Sequence, residues 1–168
     1  MSHVEHKEAS GAIQARCAVI TLSDTRSEAT DTSGAKIKSL LGAEHHLVNY
    51  YSIIPDEPQR LGILLEELIS SGDIDVILTN GGTGISRRDQ TIPVIEKHLT
   101  TNLSGFGELF RMLSYQQIGS SAMMSRAVAG IAKDKLIVAM PGSTAAVELA
   151  MTKLILPELR HLLGQMRK

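Results

Sequence analysis

Short apolar runs and helical leucine spacings take turns along this chain, each separated by a polar or glycine-rich cluster. The run RCAVITL (16–22) is continuous and β-favouring, and the cluster SDTRS (23–27) closes it. Residues 46–54 alternate loosely and end at Pro55-Asp56-Glu57-Pro58, a turn sequence. DVILT (75–79) is a second buried-strand pattern and runs directly into Asn80-Gly81-Gly82-Thr83-Gly84. Two further strands fit 126–131 and 135–140, joined around Lys133-Asp134, and the second ends at Pro141-Gly142-Ser143. Between these runs the pattern predicts helices. The first covers 33–41, with Asp31, Thr32 or Ser33 available as N-cap. The second covers 59–70, with Leu61, Leu64, Leu65 and Leu68 on one face. Others fit 93–99, 106–117 and a long stretch from Thr144 that Pro157 should kink or divide.

Strand–helix alternation of this kind predicts an α/β fold, a three-layer α/β/α arrangement with a mostly parallel central sheet. Open sheets of that class bind ligands outside the carboxyl ends of their strands. SDTRS, PDEP, NGGTG and PGS all follow predicted strands, so they should meet at one edge of the sheet. Residues 16–168 read as one domain, and the polar residues 1–15 as a flexible leader without the apolar stretch of a signal peptide.

Composition narrows the function classes. Seventeen Lys and Arg against eighteen Asp and Glu give a net charge of −1, so no bulk field favours nucleic acid. Three Tyr, two Phe and no Trp leave no row of aromatic faces for base stacking. The longest apolar runs, such as LIVAM (136–140), fall far short of the roughly 18 residues a membrane span needs. A cytoplasmic protein is expected. The single cysteine, Cys17, lies inside an apolar run and reads as a small buried hydrophobe. None of the six histidines forms an HxxxH pair, and they read as solvated surface residues; Met123-Met124 read as core filling.

Gly81, Gly82, Thr83 and Gly84 have the composition of an anion-binding loop, because glycines reach positive φ and let successive N–H groups face one phosphate or carboxylate. The same turn reads equally as a plain chain reversal. It is neither a P-loop nor a dinucleotide fingerprint: no Gly-Lys-Ser/Thr follows, and Arg87 and Phe110 stand where a third glycine would. Asp89, next to Arg87 and Arg88, suits phosphate chemistry, or caps the following helix, or closes a salt-bridged turn. Asp24 (beside Ser23), Asp56 and Asp89 would together make an Mg²⁺ site with positions left for phosphate oxygens. Pro141-Gly142-Ser143 is either a helix-terminal anion site or a Ser-capped helix.

TLSDTRS (21–27), DTSG (31–34), IIPDE (53–57), DVILTNGGTGISRRDQT (75–91), GFGELFR (105–111), SRAVAG (125–130) and MPGST (140–144) together resemble the MoaB/Mog family of molybdenum cofactor biosynthesis proteins, over residues 16–163. The resemblance implies that family's compact α/β fold, a homotrimer or homohexamer, and transfer of an adenylyl group from Mg²⁺-ATP to molybdopterin with release of pyrophosphate. The molybdenum-insertion protein of the pathway would be a partner. The family's two principal aspartates match Asp56 and Asp89, which would be catalytic and hold Mg²⁺. The resemblance also places Ser23, Asp24, Gly81, Gly82, Thr83, Gly84, Arg88, Glu108, Ser125, Pro141, Gly142 and Ser143 around the nucleotide or pterin. Some members of one branch have lost both acids and do not catalyse, so a molybdopterin-binding scaffold is the alternative; this chain keeps both. Without the resemblance, a generic phosphate- or nucleotide-binding module remains.

Overall fold

Three of the parallel strands alternate their side chains between two buried faces, and the fourth lies at the sheet's edge. In the computed structural model, which describes residues 11–168, six strands form: β1 (Arg16–Leu22), β2 (Leu47–Ile54), β3 (Val76–Asn80), β4 (Thr101–Asn102), β5 (Val128–Ala132) and β6 (Lys135–Met140). They pair in the order β2-β1-β3-β6-β5-β4. β2, β1, β3 and β6 are parallel, and β5 runs antiparallel to both of its neighbours. Cys17, Val19, Leu78 and Val138 face one core, while Ala18, Ile20, Ile77 and Ile137 face the other. That is the period-two consequence of a strand covered on both sides.

Helices α1 (Thr32–Ala43), α4 (Ser104–Ile118), α5 (Thr144–Ala150) and α6 (Leu156–Met166) cover the first face through Ile37, Leu41, Phe110, Val147, Leu159 and Leu163. The second face takes α2 (Pro58–Ser70) and α3 (Thr91–Glu96). The leucine stripe expected on α2 is the buried stripe: Leu61 and Leu65 have no exposed surface. Truncating either to Ala should cost about 2–5 kcal/mol. Pro157 does divide the last helix. A five-residue π turn, Met151–Ile155, joins α5 to α6 just ahead of it, widening the helix where proline can supply no N–H. No helix among the described residues is long and apolar enough to cross a membrane.

Three expectations change. The leader, expected to be loose over 1–15, is docked by its last residues: Ala15 is fully buried, and Arg160 Nε donates to Ile13 O over 3.3 Å. Residues 1–10, with His3 and His6, lie outside the described residues. His46 is a core histidine, 4% exposed, whose Nδ1 accepts the Ala15 N–H at 3.0 Å. Burial, then Arg160, lowers its pKa, so it is held as neutral imidazole. Met123 and Met124 are 80% and 47% exposed, because among the described residues they sit on the surface side of a 3₁₀ turn (Gly119–Met124) in which only Ala122 is buried. Cys17 is buried as expected, and burial pushes its thiol up to about 12.

At the amino ends of the strands, Asp75 closes the sheet. Its carboxylate accepts from Arg16 N, Nε and Nη2 at 2.8–2.9 Å and from Arg167 at 3.2 Å, joining β1, β3 and the chain's last turn. Burial opposes the charge, but Arg16 outweighs it and holds the carboxyl at about 2. A depressed acid contributes stability that is complete above its unfolded value near 4 and is lost as pH falls through about 2. Asp75→Asn should therefore cost about 2 kcal/mol at pH 7. Urea denaturation should show the gap from wild type closing between pH 4 and 2; a gap independent of pH would contradict the charge-based account.

Candidate functional site

Because β1, β2, β3 and β6 are parallel and aligned, their carboxyl ends share one edge: Leu22 pairs with Ile54, Thr21 with Asn80, and Asn80 with Met140. SDTRS, PDEP, NGGTG and PGS leave from these ends and do converge. The connections from β1 go to opposite sides, to β2 through α1 and on to β3 through α2, so the edge beside β1 is a topological switch point.

The glycine loop is shaped by close approach. Gly81 has φ 101° and donates its N–H to Met140 O at 3.0 Å; any Cβ there would overlap the Leu22 carbonyl oxygen. Gly82 has φ 66°, and a Cβ on it would overlap the Thr91 hydroxyl and lie 3.0 Å from Asp56 Oδ1. Both positions need glycine for conformation and for space. The expected row of inward N–H donors is shorter than the composition suggested. Gly81 is engaged by Met140, and Gly84 N–H bonds to Asp89. Gly82 and Thr83 are the two whose N–H groups donate to no protein acceptor among the described residues.

The three acids differ in what holds them. Asp24 accepts the Asp56 N–H at 3.1 Å on one oxygen and Arg88 on the other. Asp89 folds back on its own loop: the Ser86 side chain first, then the Ser86 and Gly84 N–H groups and Arg126, outweigh burial and hold it below the usual carboxylate range. It is not the cap of α3, whose N-cap residue is Gln90. Asp56 is the loose one. Its half-buried carboxylate accepts no hydrogen bond among the described residues, and burial, then Asp89 and Asp24, push its pKa up. The three-carboxylate Mg²⁺ cage expected from sequence is therefore not formed, since Asp24 is taken by Arg88; among the described residues no group of three or more His, Cys, Asp or Glu could hold a metal by itself.

Ser23 and the PGS turn build the frame. Ser23 Oγ accepts the N–H groups of Thr25 and Arg26 at 3.2 and 3.1 Å, closing its loop. Ser143 caps α5 by accepting Ala146 N–H at 3.2 Å. Gly142 O accepts from Ser33 Oγ at 2.6 Å and from Arg26 at 3.0 Å, and Pro141 stands half-buried before it. Glu108 and Ser125 are not at this rim. They line a neighbouring cleft of about 440 Å³ with Arg111 and Arg126.

Two residues escaped the sequence reading. Arg126 joins the rim to the cleft: its N–H donates to Thr83 O at 3.2 Å and its guanidinium to Gly84 O at 2.8 Å and to Asp89 O. Its place between Ser125 and a strand was the available signal. Asp31, read only as a candidate cap, is the buried hub. It accepts from Thr21 Oγ1 at 2.6 Å, Tyr51 Oη at 2.8 Å, Gly34 N at 3.0 Å and Arg26 at 3.3 Å.

Fold and rim together define an open, doubly wound α/β domain with a polar ligand edge at its strand carboxyl ends. A family model described as a probable molybdopterin binding domain matches residues 18–161. The chain belongs to this family, that of the molybdenum cofactor biosynthesis proteins. It is 48% identical over 154 residues to molybdenum cofactor biosynthesis protein B of Halalkalibacterium halodurans, covering 91% of each chain. With the protein of the same name from Bacillus cereus it shares 46% over 169 residues, 100% of this chain and 99% of the other. A crystal structure of a molybdenum cofactor biosynthesis protein B superposes with a TM-score of 0.90 at 47% identity, covering 92% and 97%. The tungsten cofactor synthesizing protein MoaB from Pyrococcus furiosus gives 0.82 at 37%, covering 92% and 98%.

The steric reading of the loop separates two glycine variants. Gly81→Ala should lose at least about 2 kcal/mol, combining strain at positive φ with overlap on backbone. Gly42→Ala, late in α1 with open space around it, should gain up to about 1 kcal/mol. Chemical denaturation midpoints compare the two directly, and equal shifts would refute the reading.

Proposed function

We propose that the chain transfers an adenylyl group from Mg²⁺-ATP to molybdopterin in molybdenum cofactor biosynthesis. The observation that carries this is the pairing of a loose carboxylate, Asp56, with a braced one, Asp89, around a glycine loop that keeps two N–H donors open. In the reaction an oxygen of the terminal phosphate of molybdopterin attacks the α-phosphorus of ATP. The bond from that phosphorus to the bridging oxygen breaks, and pyrophosphate leaves. Little covalent work falls to the protein, so its part is positioning and neutralising charge.

Gly82 and Thr83 N–H groups would bind phosphate oxygens. Arg88 and Arg126 would add positive charge at the rim, and the cleft with Glu108 and Ser125 would receive the pterin end. Mg²⁺ needs only one or two carboxylates besides phosphate oxygens and water. Asp56, unbonded and crowded by two like charges, fits that demand, with Asp89 as the second ligand. Bound there, the ion would supply positive charge against the triphosphate.

A row of exposed apolar side chains supports self-association as a trimer or hexamer. Leu109, Met112 and Tyr115 recur at three-residue intervals on α4 and are 47%, 54% and 63% exposed, with Ile118 and Met123 beyond them. Patches of this kind mark contact surfaces. The product would pass to the molybdenum-insertion partner.

Purified chain, molybdopterin and Mg²⁺-ATP should yield adenylyl-molybdopterin and pyrophosphate in equal amounts. Asp89→Ala should fold and assemble but lose transfer. Asp56→Asn should lose at least about a hundredfold in turnover. Its thermal midpoint should equal or exceed wild type, because the substitution removes a charge that burial and two acids oppose. Binding of molybdopterin with no pyrophosphate release would instead support the scaffold reading.

A further inference from the structure

We propose that Thr91 is a positioning residue for Asp56: its hydroxyl donates to the Asp56 carboxylate across Gly82 and sets the orientation in which that acid meets the nucleotide. The inference rests on the adenylyl-transfer reading. It starts from an imbalance in the hydrogen bonds. Thr91 is 1% exposed, and its Oγ1 bonds to no atom among the described residues. A buried hydroxyl left so is destabilising, and most find a partner. Beside it stands a carboxylate with the opposite deficit, since Asp56 accepts no hydrogen bond among the described residues. Donor without acceptor and acceptor without donor flank one point, the place a Gly82 side chain would fill.

The two sides differ in freedom. Thr91 opens α3, where Ile92, Val94 and Ile95 are anchored in the core, and its N–H donates to Gly82 O at 3.3 Å. Its β-branched side chain is stiff about χ1. Asp56 is half-buried on the loop between β2 and α2. The hydroxyl is thus the fixed partner, and a turn of the Asp56 side chain closes the bond. With one carboxylate oxygen held by Thr91, the other faces the ligand. Outer groups that orient a ligating carboxylate in this way contribute about 10–100-fold to affinity or activity. The glycine at 82 has a further reason to lack a side chain: it keeps the space between hydroxyl and acid open.

The test compares wild type with Thr91→Val, Thr91→Ser, Asp56→Asn and the double variant Thr91→Val/Asp56→Asn, all in the full chain. Adenylyl-transfer turnover and calorimetric affinity for a non-hydrolysable Mg²⁺-ATP analogue are measured. Thr91→Val keeps the shape and loses the hydroxyl; it should reduce turnover or affinity about tenfold, with a thermal midpoint no lower than wild type. Thr91→Ser should restore both to within about threefold. The double variant should be no worse than Asp56→Asn alone, because the hydroxyl acts only through that acid. Wild-type turnover and affinity in Thr91→Val, no rescue by Ser, or additive losses in the double variant each overturn the assignment while leaving adenylyl transfer standing. A wild-type protein that neither binds the analogue nor turns over overturns both.

Discussion

A single buried carboxylate organises the ligand edge of this molecule. Asp31, 2% exposed, takes hydrogen bonds from β1 through Thr21, from β2 through Tyr51, from the first turn of α1 through Gly34, and from the SDTRS loop through Arg26. Burial alone would disfavour its charge, but these four donors together keep its pKa below the ordinary value. The network continues outward. Asn80 of β3 donates to Thr21 Oγ1 at 2.9 Å, and Arg26 and Ser33 carry it on to the Gly142 carbonyl. Three of the four converging clusters are tied to one charge, and Tyr51 fixes the strand that delivers the fourth. Removing Asp31 would leave several buried donors without an acceptor, a larger loss than any one bond.

How much of this could be read from the sequence follows from the range of each interaction. The parallel strands announce themselves, because burial on both faces needs unbroken apolar runs such as RCAVITL and DVILT. α2 does so too, through its leucine stripe. β4 carries no such mark: Thr101 and Asn102 are exposed and pair only at the sheet's edge. The convergence of the four clusters was legible because parallel topology alone enforces it. Which of their polar groups are free was not. Gly81 and Asp24 look available in sequence and are engaged by Met140 and Arg88, partners 59 and 64 residues away. Asp31 failed to stand out for the same reason, since a cap and a hub differ only in long-range partners.

Asp56 and Asp89 show how two like acids in one site acquire different characters. Asp89 is embraced by its own loop, with the Ser86 N–H 2.9 Å away, and is stable as an anion without any ligand. Asp56 accepts no hydrogen bond among the described residues, and burial, Asp89 and Asp24 outweigh the attraction of Arg88, so it gains from whatever cation or donor arrives. A site with one settled acid and one unsettled acid holds its shape when empty and still has a group whose energy improves on binding. That asymmetry follows from loop geometry, since residues 84–89 fold back on themselves and the PDEP turn does not.

Near-neutral net charge looks at first like indifference to a polyanionic ligand. The positive groups near the rim are instead local and fixed. Arg88 is drawn to Asp24, and Arg126 is pinned by the Gly84 and Asp89 carbonyls, with the Asp89 carboxylate close enough to be stabilised by its charge. Arg26 is opposed by the buried Asp31. Of the three, Arg126 is the one shared by the rim and the adjoining cleft. A ligand with phosphates at one end and an uncharged ring at the other would place its charge along the line that Arg126 marks. The chain needs no global basic surface for that, because a fixed cation in a partly enclosed edge acts more strongly than several solvated ones.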